Sequence, residues 1–229
     1  MINYVIFDLD DTLCDYKGAQ VLSKNAINCY LKYRNINTEN FWKRFESEHE
    51  KQFQRYCSNE ISLEQYRIER FSYDGLNQAD MDNINHLYMK YANEKVKLFD
   101  DVNFVLKILA EKSIGTAILT NGPSDGQRRK LECLGLLNVG IKIFISSEIG
   151  YSKPDTACFQ YVLDRLNTAA ENVVMVGDSL KHDYEGAKAV GMHAVLLDRS
   201  NRVQRKDISV LHKLSELFDY IDKDRCCVK

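Results

Sequence analysis

The sequence has 229 residues, of which 45% are hydrophobic and 28% charged, so it can bury one large core or a core with a smaller second domain. Its 31 basic and 33 acidic side chains nearly balance, and no basic excess indicates nucleic acid or an anionic membrane as a partner. No apolar segment approaches the length of a membrane helix. The N-terminal apolar stretch is too short and too acidic for a signal peptide.

The cysteines of the sequence indicate a reducing compartment. There are seven, scattered along the chain without the spacing of metal ligands, which is typical of reduced thiols in the cytosol. We therefore expect a cytoplasmic protein. The last residues, 226–229, have the outline of a prenylation signal, but Lys229 is not a usual final residue there, so we expect a frayed tail.

The first dozen residues predict a buried strand that ends in acidic side chains. The run from Tyr4 to Phe7 is apolar, has no helical period, and is followed by Asp8, Asp10, Asp11 and Thr12. A strand that is apolar on both faces is typical of the centre of a parallel sheet. Side chains two positions apart share one face of a strand, so Asp8 and Asp10 can act together. The alternative is a strand that ends in a solvated acidic turn.

Residues 15–97 predict only helices, which together resemble a small bundle inserted into the chain. Ser62 and Gln65 fit a capping box at the start of the third helix, and Asp74 with Gly75 predicts a turn before the fourth. We expect the buried face of the first helix to contain Leu22, Ala26, Cys29, Tyr30 and Tyr33. The apolar stripe of the fourth helix contains Ile84, Leu87, Tyr88 and Tyr91.

From residue 98 onward, predicted strands alternate with predicted helices. The strands cover residues 116–120, 141–146, 173–176 and 194–197, and the last helix covers residues 211–218. Ser124 and Gln127 predict the cap of the helix after the second strand, and Pro154 suits the first turn of a later helix. This alternation predicts an α/β fold with a doubly wound parallel sheet. We expect that core at residues 1–14 and 98–229, and a helical domain at residues 15–97.

Polar side chains follow four of the predicted strands. Because the carboxyl ends of parallel strands lie at one edge of a sheet, we expect these groups to converge there. They are Asp8 with Asp10, Thr120-Asn121-Gly122, Lys153-Pro154, and Gly177-Asp178-Ser179 with Asp183.

This set of groups is suited to phosphoryl transfer. Three carboxylates at one point repel one another unless a cation lies among them, and oxygen ligands with an open site suit Mg²⁺. A hydroxyl, a backbone N–H beside a glycine and a lysine suit the oxygens of a phosphoryl group. One carboxylate can form an aspartyl-phosphate, and a second can protonate the leaving oxygen and then activate water.

Four short segments carry a family resemblance: DLDDT at 8–12, TNG at 120–122, KP at 153–154 and GDSLKHD at 177–183. They match, in order, the four motifs of the haloacid dehalogenase (HAD) superfamily, and the resemblance covers essentially the whole chain. The helical insert is similar to the C1-type cap of that family. The resemblance implies a HAD-like core with an inserted helical cap and the activity of a Mg²⁺-dependent phosphohydrolase.

The resemblance also implies roles for the acidic residues. Asp8 would be the nucleophile and would bind Mg²⁺ through one oxygen. Asp10 would be the general acid and base, with its backbone carbonyl on the metal. Asp178 would ligate Mg²⁺, and Asp183 would orient the waters of the metal.

Other motif residues would hold the phosphoryl group. These are Thr120 and Lys153, helped by the backbone at Asn121. His182 stands where many relatives carry Asn, and we expect it to change local hydrogen bonding more than chemistry. The alternative is that His182 is a direct metal ligand.

Position 10 discriminates within the family. Haloacid dehalogenases and phosphonate hydrolases lack an acid there, because their leaving groups need no such proton, so Asp10 indicates phosphate-ester chemistry. We expect Asp11 to point away from Asp8 and make a local turn contact, and Thr12 to cap the turn.

The substrate prediction depends on weaker similarities. TNGPSDGQRRKLECLGL and GDSLKHDYEGA resemble the pyrimidine 5′-nucleotidase branch and its sugar-phosphatase relatives. We expect a small-molecule phosphatase that favours nucleoside 5′-monophosphates. A sugar phosphatase or a phosphomutase would carry the same motifs. A signalling phospho-acceptor would lack the helical insert, and a non-catalytic binding protein would have lost a motif residue. The sequence does not indicate the oligomeric state.

Overall fold

The structure, a computed structural model, describes residues 1–226. These residues form two compact units, one made of residues 1–16 and 97–226 and the other of residues 17–96. The predicted frayed tail lies, apart from Cys226, outside the described residues. None of the helices within residues 1–226 has the length and apolar character that a membrane crossing requires.

The helical unit contains α1 (Tyr16–Tyr33), α2 (Thr38–Cys57), α3 (Leu63–Glu69) and α4 (Gln78–Glu94), of which α1 begins one residue before the unit. Asp80 on α4 accepts hydrogen bonds from the Tyr30 hydroxyl at 2.7 Å and from Arg34 Nη2 at 2.8 Å, which ties α1 to α4. The predicted capping box of Ser62 and Gln65 is confirmed at the start of α3.

The predicted buried face of α1 is wrong. Its buried residues are Ala19, Ser23, Ile27 and Leu31, which recur every fourth position. Leu22 and Tyr33, which the apolar pattern placed inside, are 46% and 80% exposed. Ser23 interrupts the apolar character of the true buried face, so a search for apolar residues alone selects the neighbouring face.

The core unit is built on a parallel sheet of six strands in the order β3–β2–β1–β4–β5–β6. They are β1 (Tyr4–Phe7), β2 (Gly115–Thr120), β3 (Lys142–Ile145), β4 (Val173–Gly177), β5 (His193–Leu197) and β6 (Val210–Leu211). Phe7 at the end of β1 lies beside Ile118 on one side and Val176 on the other. The predicted α/β fold with a parallel sheet is confirmed, and β1 lies at its centre.

Helices lie between these strands and after the last of them. They are α5 (Val102–Glu111), α6 (Ser124–Cys133), α7 (Ser146–Ile149), α8 (Thr156–Leu166), α9 (Gly186–Ala189) and α10 (Leu217–Cys226), with a π-helix at Leu180–Glu185 before α9. Ile6 packs with Phe159 and Val162 of α8 in one core cluster. Val5 and Phe7 alternate with Ile6 along β1 and are equally buried, so both faces of the sheet are covered.

Two local predictions for the core unit are wrong. Asp155 is the N-cap of α8, with its side chain accepting from Ala157 N at 2.9 Å, so Pro154 lies before the helix and not in its first turn. Leu211 belongs to β6, where it pairs with Leu197, and the last helix begins only at Leu217. Buried leucines at every third position from residue 211 imitate a helical stripe, but the first of them is part of the sheet.

Candidate active site

The parallel sheet brings the predicted polar groups to one edge. Asp8 directly follows β1, and its N–H donates to the Val176 carbonyl at 2.9 Å, so it extends the ladder between β1 and β4. Thr120 is the last residue of β2, and Asp178 follows the last residue of β4. Because these three strands are neighbours and run in the same direction, their carboxyl ends deliver the three side chains to the same place.

Lys153 joins two of the acidic residues in a buried ion-pair cluster. Its Nζ lies 2.6 Å from Asp8 Oδ1 and 2.6 Å from Asp183 Oδ1. Burial raises the pKa of the Asp8 carboxyl, Lys153 opposes this, and the negative charges of Asp183 and Asp10 raise it further. Burial alone would lower the pKa of Lys153, but the two carboxylates outweigh it and keep the pKa above its usual value.

Three carboxylates of this cluster have the arrangement of a metal site. Asp8, Asp178 and Asp183 each offer one oxygen, and these oxygens lie within 4.8 Å of one another. When all three carboxylates are ionised, they and the single ammonium of Lys153 leave an excess of two negative charges. An all-oxygen donor set with that excess fits a divalent cation such as Mg²⁺.

Asp183 is held in place by the protein itself. Its Oδ1 accepts from Lys153, and its Oδ2 accepts from the Ser179 backbone N–H at 3.0 Å. The approach requires glycine at position 177, because a Cβ there would lie 2.6 Å from Asp183 Cβ and closer still to its carboxylate. Both oxygens of Asp183 therefore already have protein partners, as expected of a carboxylate that orients other groups.

Asp10 lies in a different environment from Asp8. Lys130 Nζ lies 2.8 Å from Asp10 Oδ1 and 2.7 Å from Oδ2, and Gln127 Nε2 donates to Oδ2 at 3.2 Å. The Asp10 side chain remains 24% exposed. The two carboxylates predicted to share the chemistry thus have separate lysines.

Gln127 and Lys130 are the site residues that sequence reasoning missed. Ser124 and Gln127 were expected to cap α6, but neither does, since the N-cap is Pro123 and forms no side-chain cap hydrogen bond. Gln127 is buried and donates to Thr120 Oγ1, while the Ser124 hydroxyl donates to Glu148. The available signal was the spacing of three between Gln127 and Lys130, which puts both polar side chains on one face of a helix that follows the Thr120 loop.

The residues predicted to hold a phosphoryl group connect the surroundings of Asp8 with those of Asp10. The Asn121 side chain donates to the Lys153 carbonyl at 2.8 Å and accepts from the Lys153 N–H at 2.9 Å. Gln127 also donates to the Asn121 carbonyl at 3.1 Å. Hydrogen bonds thus link Asp8 through Lys153, Asn121 and Gln127 to Asp10, and Gln127 also contacts the Thr120 hydroxyl.

The remaining predictions concern the turns beside the site. Asp11 adopts a left-handed conformation with φ of 59°, and its N–H donates to the Cys14 carbonyl at 2.8 Å, which is a local turn contact. Thr12 does not cap this turn, because its buried hydroxyl has no hydrogen-bond partner among the described residues. His182 forms local hydrogen bonds to the Ser179 hydroxyl, through its backbone N–H at 3.1 Å and its ring Nδ1 at 3.2 Å. It does not belong to the group of three carboxylates that could bind a metal ion.

Comparison with known proteins gives consistent matches over most of the chain. A family model described as haloacid dehalogenase-like hydrolase matches residues 5–197. The ribulose-1,5-bisphosphate 5-phosphatase of Halopiger xanaduensis is 30% identical over 212 residues, which cover 87% of this chain and 86% of that protein. The pyrimidine 5′-nucleotidase YjjG of Escherichia coli is 26% identical over 225 residues, covering 94% and 97%. A solved structure of the Bacillus subtilis HAD-hydrolase YfnB bound to magnesium has a TM-score of 0.74 at 23% identity, covering 96% of this chain and 99% of that one.

Proposed function

The chain belongs to the haloacid dehalogenase-like hydrolase family, and on that premise we propose that it is a Mg²⁺-dependent phosphatase of small phosphate monoesters, with nucleoside 5′-monophosphates favoured. One observation carries the proposal: two carboxylates two residues apart lie in contrasting environments. Asp8 is buried beside Lys153 and lies close to two other carboxylates that could bind a metal ion with it. Asp10 is partly exposed and paired with Lys130. Contrasting environments are how a pair of carboxylates divides nucleophilic and acid–base work.

The first half of the reaction transfers the phosphoryl group to Asp8. A bond forms between an Asp8 oxygen and phosphorus while the bond from phosphorus to the leaving oxygen breaks, and Asp10 gives a proton to that oxygen. The Thr120 hydroxyl and the Lys153 ammonium bind the phosphoryl oxygens. Mg²⁺, held by Asp8, Asp178 and the Asp10 carbonyl, would neutralise phosphoryl charge and keep the Asp8 carboxylate ionised.

The second half releases phosphate and restores the protein. Asp10, now a carboxylate, takes a proton from water as the oxygen of that water bonds to phosphorus. The bond between phosphorus and Asp8 breaks, so that Asp8 is again a carboxylate and Asp10 again carries a proton. Asp183 keeps Lys153 and the adjacent backbone in position throughout.

Asp10 also favours phosphate esters over the halogenated acids on which some proteins of this fold act. An alkoxide is a poor leaving group and needs a proton, whereas a halide ion does not.

A sugar phosphate is the second candidate substrate. The relative with 30% identity is named for action on ribulose-1,5-bisphosphate, while a relative of similar coverage is named for pyrimidine nucleotides. The segments TNGPSDGQRRKLECLGL and GDSLKHDYEGA resemble the pyrimidine 5′-nucleotidase branch and its sugar-phosphatase relatives, and on this resemblance we favour nucleotides. We further propose that the helical unit, residues 17–96, acts as the cap that selects the substrate. Exchange of that unit for the corresponding segment of a sugar phosphatase is expected to change substrate preference while the chemistry is retained.

The test is release of inorganic phosphate with Mg²⁺ from a panel of nucleoside monophosphates, sugar phosphates and phosphoglycolate. Asp8→Asn is expected to abolish release. Asp11→Asn is the matched control, because Asp11 is an adjacent acid in a left-handed turn that Asn tolerates, and it is expected to keep activity. Preference for a sugar phosphate would reject the nucleotide assignment. Transfer to a second sugar instead of release would indicate a mutase, and no turnover of any substrate would reject the phosphatase.

A further inference from the structure

Lys130 is a buried lysine that the reaction described above does not use. It is 3% exposed, it lies on α6, and its Nζ contacts both oxygens of Asp10. The ammonium also lies 3.6 Å from the centre of the Tyr16 ring. A buried ammonium is costly unless paired, so the site retains a charge whose evident partner is Asp10.

We propose that Lys130 is a positioning residue that fixes the Asp10 carboxylate for proton transfer, and that Gln127 assists by donating a hydrogen bond to the same carboxylate. Both side chains come from one face of α6, and together they place three donor contacts on Asp10. Gln127 also donates to Thr120 Oγ1, so one helix face sets the acid–base group and the phosphoryl-binding hydroxyl at a fixed separation. Asp10 lies in the loop after β1, directly before the turn at residues 11–13, where a carboxylate without such contacts would be free to rotate.

The contacts also distinguish the two oxygens of Asp10. Oδ2 accepts from both Lys130 and Gln127, whereas Oδ1 accepts from Lys130 and from the Cys14 thiol at the long distance of 3.8 Å. Both lone pairs of Oδ2 thus face nitrogen donors, whereas Oδ1 faces one nitrogen donor and a weak thiol donor. Oδ1 is therefore the less engaged oxygen and the better placed to exchange the proton.

This inference rests on the proposed phosphatase function, and its consequence depends on the leaving group. Lys130 acts through Asp10, so its loss matters only where Asp10 must deliver a proton. A nucleoside or sugar alkoxide needs that proton, whereas 4-nitrophenolate leaves without it. The quantity kcat/KM reports the steps up to departure of the leaving group, so it isolates this difference from the later attack of water.

The experiment compares Lys130→Met with the parent enzyme on two probes. One is uridine 5′-monophosphate or ribose 5-phosphate, whichever is hydrolysed faster, and the other is 4-nitrophenyl phosphate. General acid–base catalysis contributes about 10²–10⁴-fold, so we expect kcat/KM to fall about 10–100-fold for the alkyl phosphate and less than about 3-fold for the aryl phosphate. Lys107→Met is the matched control, because Lys107 pairs with Glu111 at 3.8 Å on the exposed side of α5, and it is expected to change neither value.

A double-mutant cycle separates positioning from a general structural role. In an Asp10→Asn background, Lys130→Met is expected to have no further effect on kcat/KM for the alkyl phosphate, because the group it positions is already lost. Thermal melting checks that each variant folds. If Lys130→Met does not fold, Lys130→Gln, which keeps a donor but removes the charge, replaces it, and an intermediate loss confined to the alkyl phosphate is expected.

The outcomes distinguish this inference from the proposed function. Equal losses on both probes, or a full effect of Lys130→Met in the Asp10→Asn background, would show that Lys130 is structural and would overturn the inference. Unchanged kcat/KM on both probes would do the same. If the parent enzyme hydrolyses neither probe, or if Asp8→Asn remains active, the proposed function fails and the inference fails with it.

Discussion

Replacing Lys153 by Met leaves two buried carboxylates without their shared cation. The ammonium lies 2.6 Å from an oxygen of Asp8 and 2.6 Å from an oxygen of Asp183. The side chains of Lys153 and Asp183 are each 2% exposed, and that of Asp8 is 11% exposed, so water cannot replace the lost charge. Removing one partner of a buried ion pair costs about 3–5 kcal/mol, and we expect that loss in the free energy of unfolding when metal is chelated.

The assay is urea unfolding followed by circular dichroism, because the one tryptophan, Trp42, lies in the helical unit and does not report on this site. Lys43→Met is the matched control. Lys43 pairs with Glu39 at 2.7 Å, but the two side chains are 69% and 75% exposed, and such surface pairs contribute about 0–1 kcal/mol. The two variants therefore lose ion pairs of nearly equal length that differ in burial.

A second readout follows from the charge of the site. With the three carboxylates ionised, loss of the ammonium raises their excess of negative charge from two to three, so Mg²⁺ is expected to raise the melting temperature of Lys153→Met more than that of the parent. A destabilisation no larger than that of Lys43→Met, together with an unchanged response to Mg²⁺, would refute the reasoning.

Three further predictions concern the same edge of the sheet. Gly177→Ala is expected to displace Asp183, because the added Cβ would overlap its side chain. Overpacking of this kind lowers the free energy of unfolding by about 1–3 kcal/mol, and we expect phosphate release to fall as well. A variant with the melting temperature and kinetics of the parent would contradict the steric argument. Asn121→Ala removes both hydrogen bonds to the Lys153 backbone. We expect kcat/KM for phosphate release to fall about 10-fold, which corresponds to about 1.4 kcal/mol. Full activity would show that the segment carrying Lys153 keeps its position without Asn121. Chelation of divalent metal is expected to abolish turnover and added Mg²⁺ to restore it, and turnover that persists in chelator would contradict the assigned role of the carboxylates.

The strands and the site edge were predictable because their signals are local. β1 occupies Tyr4–Phe7 as predicted, since four apolar residues with no helical period fit a strand covered on both faces. Once the sheet is parallel, the position of Asp8, Thr120 and Asp178 at one edge follows from chain direction alone. The acidic and polar residues at the strand ends therefore required no knowledge of distant contacts.

Gln127 and Lys130 were not predictable in the same way. Their partner Asp10 lies 117 and 120 residues away in the sequence, and nothing near α6 indicates the pairing. A Ser-x-x-Gln spacing is equally compatible with a helix cap, which is the local explanation that the structure contradicts. The buried face of α1 was missed for a different reason, because the polar residue Ser23 is buried there and a search for apolar residues does not select it.

The most direct test of the central claim is to trap the phosphorylated protein. The enzyme is mixed with Mg²⁺ and a ³²P-labelled substrate from the panel, quenched in acid within the first turnover, digested and analysed by mass spectrometry. The account predicts one labile phosphoryl group on the peptide that begins the chain, attached to Asp8 and absent from Asp8→Asn. An active enzyme that carries no phosphoryl group at any time point, or carries it on another residue, would contradict the assignment of Asp8 as the nucleophile.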